Sequence, residues 1–497
     1  MSVRRGSRVG RVARVGLMSG AVVTAIVMSG VLPAAAAVST TSVVSAAPDG
    51  ANADNESYDP SVSADGRYVA FASSATNLVA LDGNGARDIF VRDLTDGTTV
   101  RVSVDSAEVE ANNSSYRPSI SADGRYVAFE SSASNLVAVD GNDERDIFVR
   151  DLTDGTTVRV SVDSAEGEAN SGSYIASISA DGLFVAFESS ASNLVAGDGN
   201  GEQDIFVRDL TSTTTVRVSV DSAEGEANSG SYRPSISADG RFVAFASSAT
   251  NLVAVDGNDA RDIFVRDLTD GTTVRVSVDS AEVEANKSSN IASISADGRF
   301  VAFESSADNL VAGDLNFSTD IFVRDLTDTT TVLVSVDSAE VQAGIDSYDP
   351  SISADGRFVA FRSYADNLVA GDTNGVFDVF VRDLSSTTTV RVSVNSLGVQ
   401  GNFGSFNPSV SADGRYVAFE SAATNLTTVT DPPADNCDAD DGPTYADDTN
   451  CDFDVFIAGS PAELPPTGGN PAGVVLVAVV LLGAGTCVLG LRRARTA

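Results

Sequence analysis

The stretch Pro118-Ser-Ile-Ser-Ala-Asp-Gly-Arg-Tyr-Val-Ala-Phe-Glu-Ser131 sets two short apolar runs on either side of an Asp-Gly dipeptide. That dipeptide tolerates the positive φ angles of tight hairpin turns, so the stretch reads as two antiparallel strands. The same text recurs along the chain. The Asp of Ser-Ala-Asp-Gly falls at Asp65, Asp123, Asp181, Asp239, Asp297, Asp355 and Asp413, every interval being 58 residues. Such a period decides the fold before any local pattern does. After a loop come a third run, Asp146-Ile-Phe-Val-Arg-Asp-Leu152, and a fourth, Thr157-Val-Arg-Val-Ser-Val162. Each unit is thus a meander of four short strands. The second and third are apolar on both faces and the fourth alternates, as expected of sheets stacked around an axis rather than the rungs of a parallel β-helix.

The seventh unit has no fourth strand before Leu464, whereas Thr40-Thr-Ser-Val-Val-Ser45 lies 58 residues ahead of Thr98-Thr-Val-Arg-Val-Ser103 and has no unit of its own. The expectation is an all-β, seven-bladed β-propeller of four-stranded antiparallel blades over residues 38–460, closed by an N-terminal strand that completes the last blade, with one insertion at about 427–447. Closure of this kind removes free sheet edges. The units resemble the TolB-like, WD-repeat-like propeller repeat. The resemblance rests on Tyr116, Pro118, Ser121-Ala-Asp-Gly124 and the Ile147-Phe-Val149 run. Ala122 stands where that family often has a second Pro, and Ile or Val where it often has Trp. The resemblance implies the fold and leaves function open, because function lives in sites rather than folds.

The chain of 497 residues has no His, and its 69 acids against 32 bases give a net charge of −37. Without His, Ser-His-Asp, Cys-His and His-ligated zinc chemistries are excluded. Between residues 38 and 467 the balance is 24 bases to 69 acids. A surface so acidic repels phosphate backbones, so no nucleic-acid partner is expected.

Both ends speak of export. Residues 1–37 combine five Arg, an apolar stretch from Val15 to Leu32, and Ala34 to Ala37, the pattern of a signal peptide. Residues 461–497 carry Leu464-Pro465-Pro466-Thr467-Gly468, an apolar span over 472–491 and a basic tail over 492–497. This order resembles the LPXTG-type cell-wall sorting signal of Gram-positive surface proteins. The resemblance implies a transient membrane span, then cleavage by a sortase between Thr467 and Gly468 and attachment of Thr467 to peptidoglycan. The location expected is the extracellular surface.

In an antiparallel meander both long loops of each unit fall on one face, where propellers carry binding groups. The loop before the third strand repeats Asp-x-Asn-x-x-x-Asp at Asp82, Asn84, Asp88; Asp140, Asn142, Asp146; Asp198, Asn200, Asp204; Asp256, Asn258, Asp262; Asp314, Asn316, Asp320; Asp372, Asn374, Asp378; and Asp448, Asn450, Asp454. Hard oxygen ligands at this spacing suit Ca²⁺, although the EF-hand Gly and Glu are missing; the favoured reading is that Asp and Asn cap turns by bonding their own backbone. Aromatics precede the first strand at Tyr58, Tyr116, Tyr174, Tyr232, Tyr348 and Phe406. They would serve either as platforms for sugar rings or a partner's side chains, or as packing against the next blade. Cys437 and Cys451 read as a disulfide in the insertion, or as a soft-metal pair.

Glu130, Glu188, Glu304 and Glu420 share one position with Ala72, Ala246 and Arg362. Near-identical units offer no asymmetric acid–base pair, so the expectation is a non-catalytic module that binds an extracellular protein or glycan through its acidic loop face. The alternative is an extracellular Ca²⁺-dependent hydrolase or lyase acting on polysaccharide. Any specialised spot is expected in the units that diverge most, the fifth to the seventh, with Phe317, Ile345, Tyr364, Phe377 and Phe403.

Overall fold

In a computed structural model the described residues are 41–427 and 452–459. They form seven four-stranded antiparallel sheets. Blade 1 runs outward from the axis as Ser57–Val62, Tyr68–Ser73, Asp88–Asp93 and Thr98–Arg101. The next five blades repeat this order. In blade 7 the three inner strands are Ser405–Val410, Tyr416–Ser421 and Asp454–Gly459, and the outermost is Ser42–Val43 from the start of the chain. Its register is Ser42 opposite Ile457 and Val43 opposite Phe456, so the ring closes as the repeat count requires.

Alternation puts one large and one small side chain on facing positions. In each blade the second and third strands present a Phe pair, such as Phe129 and Phe148, with ring centroids 5.9 Å apart. Both rings are fully buried, and each contributes about 1.5–3 kcal/mol relative to an exposed side chain. The opposite face is small: Ala128 and Val149 of blade 2 receive Phe187 and Phe206 of blade 3. The core is therefore seven interblade slabs rather than one centre.

Two circular hydrogen-bond series fix the blades around the axis. The Ala64 amide donates to the Ala122 carbonyl at 3.1 Å, and the relation repeats blade by blade until Ala412 donates to Ala64 at 3.1 Å. The Ser61 hydroxyl accepts from the Ile120 amide at 3.1 Å, and Ser409 accepts from Val62 at 3.1 Å to close the second series. Close approach at the first series is possible because Gly124, at φ +74°, has the Tyr68 ring 2.2 Å from where a Cβ would sit.

Candidate functional site

The loop face carries two structures, an outer rim and an axial funnel. At the rim, the expected Asp and Asn residues come together with two partners that the spacing did not reveal. Oxygens of Asp82, Asp88 and Glu110 lie within 4.8 Å of one another, and so do those of Asp140, Asp146 and Glu168; Asp198, Asp204 and Glu226; and Asp256, Asp262 and Glu284. Such groups could hold a metal ion. Each also holds an Arg from the end of the outermost strand. Arg101 reaches Asp82 at 3.0 Å, Asp88 at 3.5 Å and Glu110 at 2.5 Å.

The Asn residues face the backbone. Asn84 accepts from the Ala86 amide at 2.6 Å and donates to the Ala111 carbonyl at 2.9 Å, the turn-capping role, while also donating to Asp88 at 2.9 Å. Asn142, Asn200 and Asn258 repeat the donation to Asp146, Asp204 and Asp262, as do Asn316 to Asp320 and Asn374 to Asp378. Asn amide nitrogens directed at the carboxylates, and a guanidinium already among them, mean that a bound cation has to displace resident donors.

Blade 5 departs from this. Leu333 stands where blades 1 to 4 and 6 have Arg, Gln342 stands where blades 1 to 4 have Glu, and the Gln342 amide donates to Asp314 at 2.8 Å and Asp320 at 2.9 Å; blade 6 keeps Arg391 beside Gln400. In blade 6, Arg391 contacts Asp372 and Asp378, each at 3.1 Å. Burial pushes the pKa of Asp88, Asp146, Asp262 and Asp320 up to about 6. In blade 7, Asp454 accepts from the Ser45 hydroxyl at 2.6 Å; Asp448, Asn450, Cys437, Cys451 and Leu464 to Gly468 lie outside the described residues.

The funnel is built by a bulge in the innermost strand. The register shifts between Tyr116 and Ser119, and Arg117 sits at φ +45°. The same left-handed geometry occurs at Asp59, Ile175, Arg233, Asp349 and Asn407, with φ between 45° and 54°. The Pro that follows five of these residues, Pro118 among them, lacks an N–H and so leaves no ladder donor unmet in the bulge. Non-glycine residues in this region cost about 1–3 kcal/mol each and concentrate where a fold serves a ligand. The four buried Glu residues hold the bulges from the neighbouring blade. Glu420 accepts from the Asp59 amide at 2.8 Å, Glu130 from Ile175 at 3.1 Å, Glu188 from Arg233 at 2.9 Å and Glu304 from Asp349 at 3.3 Å.

Around the funnel mouth the predicted aromatics alternate with cations. The Arg87 guanidinium lies 4.7 Å from the Tyr58 ring and 5.4 Å from Tyr116; Arg145 lies 4.4 Å from Tyr116 and 5.6 Å from Tyr174; Arg261 lies 4.6 Å from Tyr232. Across blades 6, 7 and 1 the belt becomes ring on ring. Tyr348 meets Phe377, Phe377 meets Phe406, Phe406 meets Phe453 and Phe453 meets Tyr58, with centroids 5.5–6.1 Å apart. Arg362 stacks on Tyr348, Phe377 and Phe406. The six aromatics thus make a shared girdle, and it is the divergent fifth to seventh units that supply only part of it.

The other part is a cavity of about 300 Å³ lined by Arg117, Tyr174, Ile175, Glu188, Gln203, Tyr232, Arg233 and Arg261, all from blades 2 to 4. The specialised spot expected in units five to seven is therefore joined by one in the more regular units.

Two asymmetric carboxylate pairs also border the funnel. The Asn407 amide bridges Glu420 at 3.0 Å and Asp59 at 3.4 Å. Burial, then the neighbouring Asp59, raises the pKa of Glu420 to about 7. Burial, then Asp349, raises that of Glu304 to about 7. Asp349 is itself paired with Arg362 at 2.6 Å.

No family model matches the chain, and no curated protein does. Solved structures do. TolB from Acinetobacter baumannii is 16% identical, with 61% of this chain and 59% of that one covered and a TM-score of 0.36. An oligogalacturonate lyase in complex with manganese is 13% identical over 85% of this chain and 96% of its own, with a TM-score of 0.50. The fold shared with these structures is the propeller, here of seven blades. One of two prolyl endopeptidases is 12% identical, with 74% and 46% covered and a TM-score of 0.46.

An enzyme, the oligogalacturonate lyase, thus stands among the neighbours, and the expectation of a non-catalytic chain is corrected. Its premise fails as well, because sequence-identical positions become unlike pairs once neighbouring blades meet: Glu420 faces Asp59, whereas Glu188 faces Arg233.

Proposed function

We propose that this chain is an exported propeller, held at a Gram-positive-type wall through Thr467, that captures an extracellular ligand in the axial funnel of its loop face. The observation that carries the reading is the set of six left-handed bulges in the innermost strands, which line the axis. Strain repeated around one axis, with each bulge but two gripped by a neighbour's Glu, is what a preorganised site requires. The ligand is a glycan or a protein segment, since aromatic faces and guanidinium groups serve both.

Retention at the wall is supported by Leu464-Pro465-Pro466-Thr467-Gly468, the apolar span and the basic tail in that order. Sortase and peptidoglycan are the partners in that step. Mass spectrometry of wall digests tests it: a C-terminal peptide ending at Thr467 and carrying a peptidoglycan stem supports it, and an intact C-terminus refutes it.

The capture reading is tested with a glycan array and cell-wall extracts on wild type and on Tyr232→Ala with Tyr348→Ala. Loss of binding in the double variant supports the funnel; undiminished binding refutes it. A second reading has a specific observation behind it. The carboxylate pairs Glu420–Asp59 and Glu304–Asp349 hold a proton near pH 7, as a general acid must. A lyase or hydrolase using them would lose turnover in Glu304→Gln or Glu420→Gln while still binding substrate. Calcium at the rim groups is part of that reading only if chelation abolishes turnover.

A further inference from the structure

We infer that the cavity between blades 2 and 4 binds a sugar ring that bears a carboxylate, a uronate unit. The inference rests on the capture reading above and names the ligand class for that funnel. Three observations carry it, beginning with charge. In a chain of 69 acids and 32 bases, nearly every described Arg is paired with a carboxylate; among the described residues Arg92, whose guanidinium is taken up by the Ala46 carbonyl and the Thr99 hydroxyl, forms no ion pair, and neither do Arg87, Arg233 and Arg261. Arg87, Arg233 and Arg261 stand at the funnel, the last two in the cavity. Arg117, the third cavity Arg, is paired with Glu130 at 3.3 Å. The Nε of Arg261 is buried and without a hydrogen-bond partner.

The second observation is shape. Tyr174 and Tyr232 fold back over Gly172 and Gly230, where an added Cβ would lie 2.2 Å from each phenolic oxygen. The other tyrosines of the series have Glu56, Ser114 and Asp346 at that place. The cavity tyrosines alone among them are seated on glycine. Two ring platforms with unpaired guanidinium groups between them suit a sugar ring stacked on an aromatic and a planar carboxylate received by an Arg fork. A volume of about 300 Å³ fits one such unit.

The third is the field of the whole molecule. A net charge of −37 repels an anion in proportion to its charge, which favours a monoanionic carboxylate over a phosphate dianion. Glu188 at the cavity wall accepts from the Arg233 amide at 2.9 Å and adds to that selection.

Isothermal titration of the full chain in a mild detergent tests the inference with four probes: methyl β-glucuronide, a glucuronate-containing tetrasaccharide, methyl β-glucoside and inorganic phosphate. The expected result is binding of the two uronides, at least tenfold preference over glucoside and phosphate, and a loss of about tenfold or more in Arg233→Asn and Arg261→Gln. Asn is chosen because Asn407 already occupies the equivalent bulge at φ +47°. Arg415→Gln, an exposed charge paired only with Asp413 on the turn face, is the control and leaves affinity unchanged.

A tetrasaccharide bound more tightly than the monosaccharide assigns the site to a polymer, and equal affinities assign it to a free sugar acid. Equal binding of glucoside and uronide, both weakened by Arg233→Asn, overturns the carboxylate class while the funnel reading stands. Uronide binding indifferent to both Arg substitutions places the ligand elsewhere and overturns both. Tighter phosphate binding, or no binding by any uronide, overturns the class alone.

Discussion

Arg159 is the sharpest place to perturb the rim. Its side chain is 7% exposed and is surrounded by Asp140 at 3.3 Å, Asp146 at 3.4 Å and Glu168. Arg159→Leu leaves three carboxylates with oxygens within 4.8 Å and no cation among them. At an effective dielectric of about 20, each like-charged pair near 5 Å repels by about 3 kcal/mol, and breaking a buried pair by removing one partner costs about 3–5 kcal/mol. Protonation limits the damage. Asp146 already has its pKa raised to about 6 by burial, so the cost should be largest at pH 8 and smaller at pH 5.

Blade 5 shows the remedy, since Leu333 there is accompanied by Gln342. The double variant Arg159→Leu with Glu168→Gln should therefore be about 2 kcal/mol more stable than Arg159→Leu alone, a positive coupling in a double-mutant cycle. Urea unfolding at pH 8 measures it. A double variant no more stable than the single one would refute the reasoning that the guanidinium acts as the resident cation of the rim. Millimolar calcium should raise the stability of Arg159→Leu and leave wild type unaffected.

Other expectations follow from the same geometry. Glu420 and Glu304 hold their protons to about pH 7 in the folded chain against about 4.5 unfolded, so the stability they contribute is full below pH 4.5 and is lost as pH rises through 7. Glu420→Gln should flatten that part of the pH–stability curve, and an unchanged slope in urea titrations from pH 4.5 to 8 counts against it. The opposite sign holds for Asp151 and Asp267, lowered to about 2 by their Arg partners; their contribution fades as pH falls from about 3.8 toward 2. Gly172→Ala should force the Tyr174 ring out of its seat, weakening ligand capture by tenfold or more with little loss of Tm; unaltered capture in titration contradicts the seat. Ser45→Ala removes a 2.6 Å bond to Asp454 and a 3.0 Å acceptor for the Val455 amide, costing about 1–3 kcal/mol, read as faster hydrogen exchange at Val455; unchanged exchange excludes the role.

The ring was legible because its cause is periodic. Ser-Ala-Asp-Gly every 58 residues and the orphan strand at Ser42–Val43 dictate both blade number and closure. The rim acids were legible as a pattern, but Glu110 and Arg101 were not, because they reach Asp82 from 28 and 19 residues away along the chain. A partial signal existed: the one blade of the first six that loses the Arg, at Leu333, also loses the Glu, at Gln342, although Gln400 replaces Glu beside a retained Arg391. The funnel was less legible for a different reason. It lies where the units differ, at Asp59, Arg117, Ile175, Arg233, Ile291, Asp349 and Asn407, and at Arg87, Arg145, Gln203, Arg261, Thr319, Phe377 and Phe453, so periodicity does not mark it. The first set changes sign around the axis. A left-handed bulge before proline is not written in residue preferences, since proline disfavours helical angles in the residue before it.

The closing clasp has a consequence for the order of events. Ser45 meets Asp454 and Val455 across more than 400 residues, and the two ends share a register of only two residue pairs. Whichever blades condense first, this junction waits until the final strand exists, and loop-closure entropy makes such distant pairing slow. Until Ser42–Val43 docks, the seventh sheet has a bare edge on Asp454–Gly459. A second copy's Ser42–Val43 has the same sequence and the same fit, so a crowded population of unfinished chains would join in rings of more than one copy. Dilution during refolding should therefore raise the yield of the closed monomer.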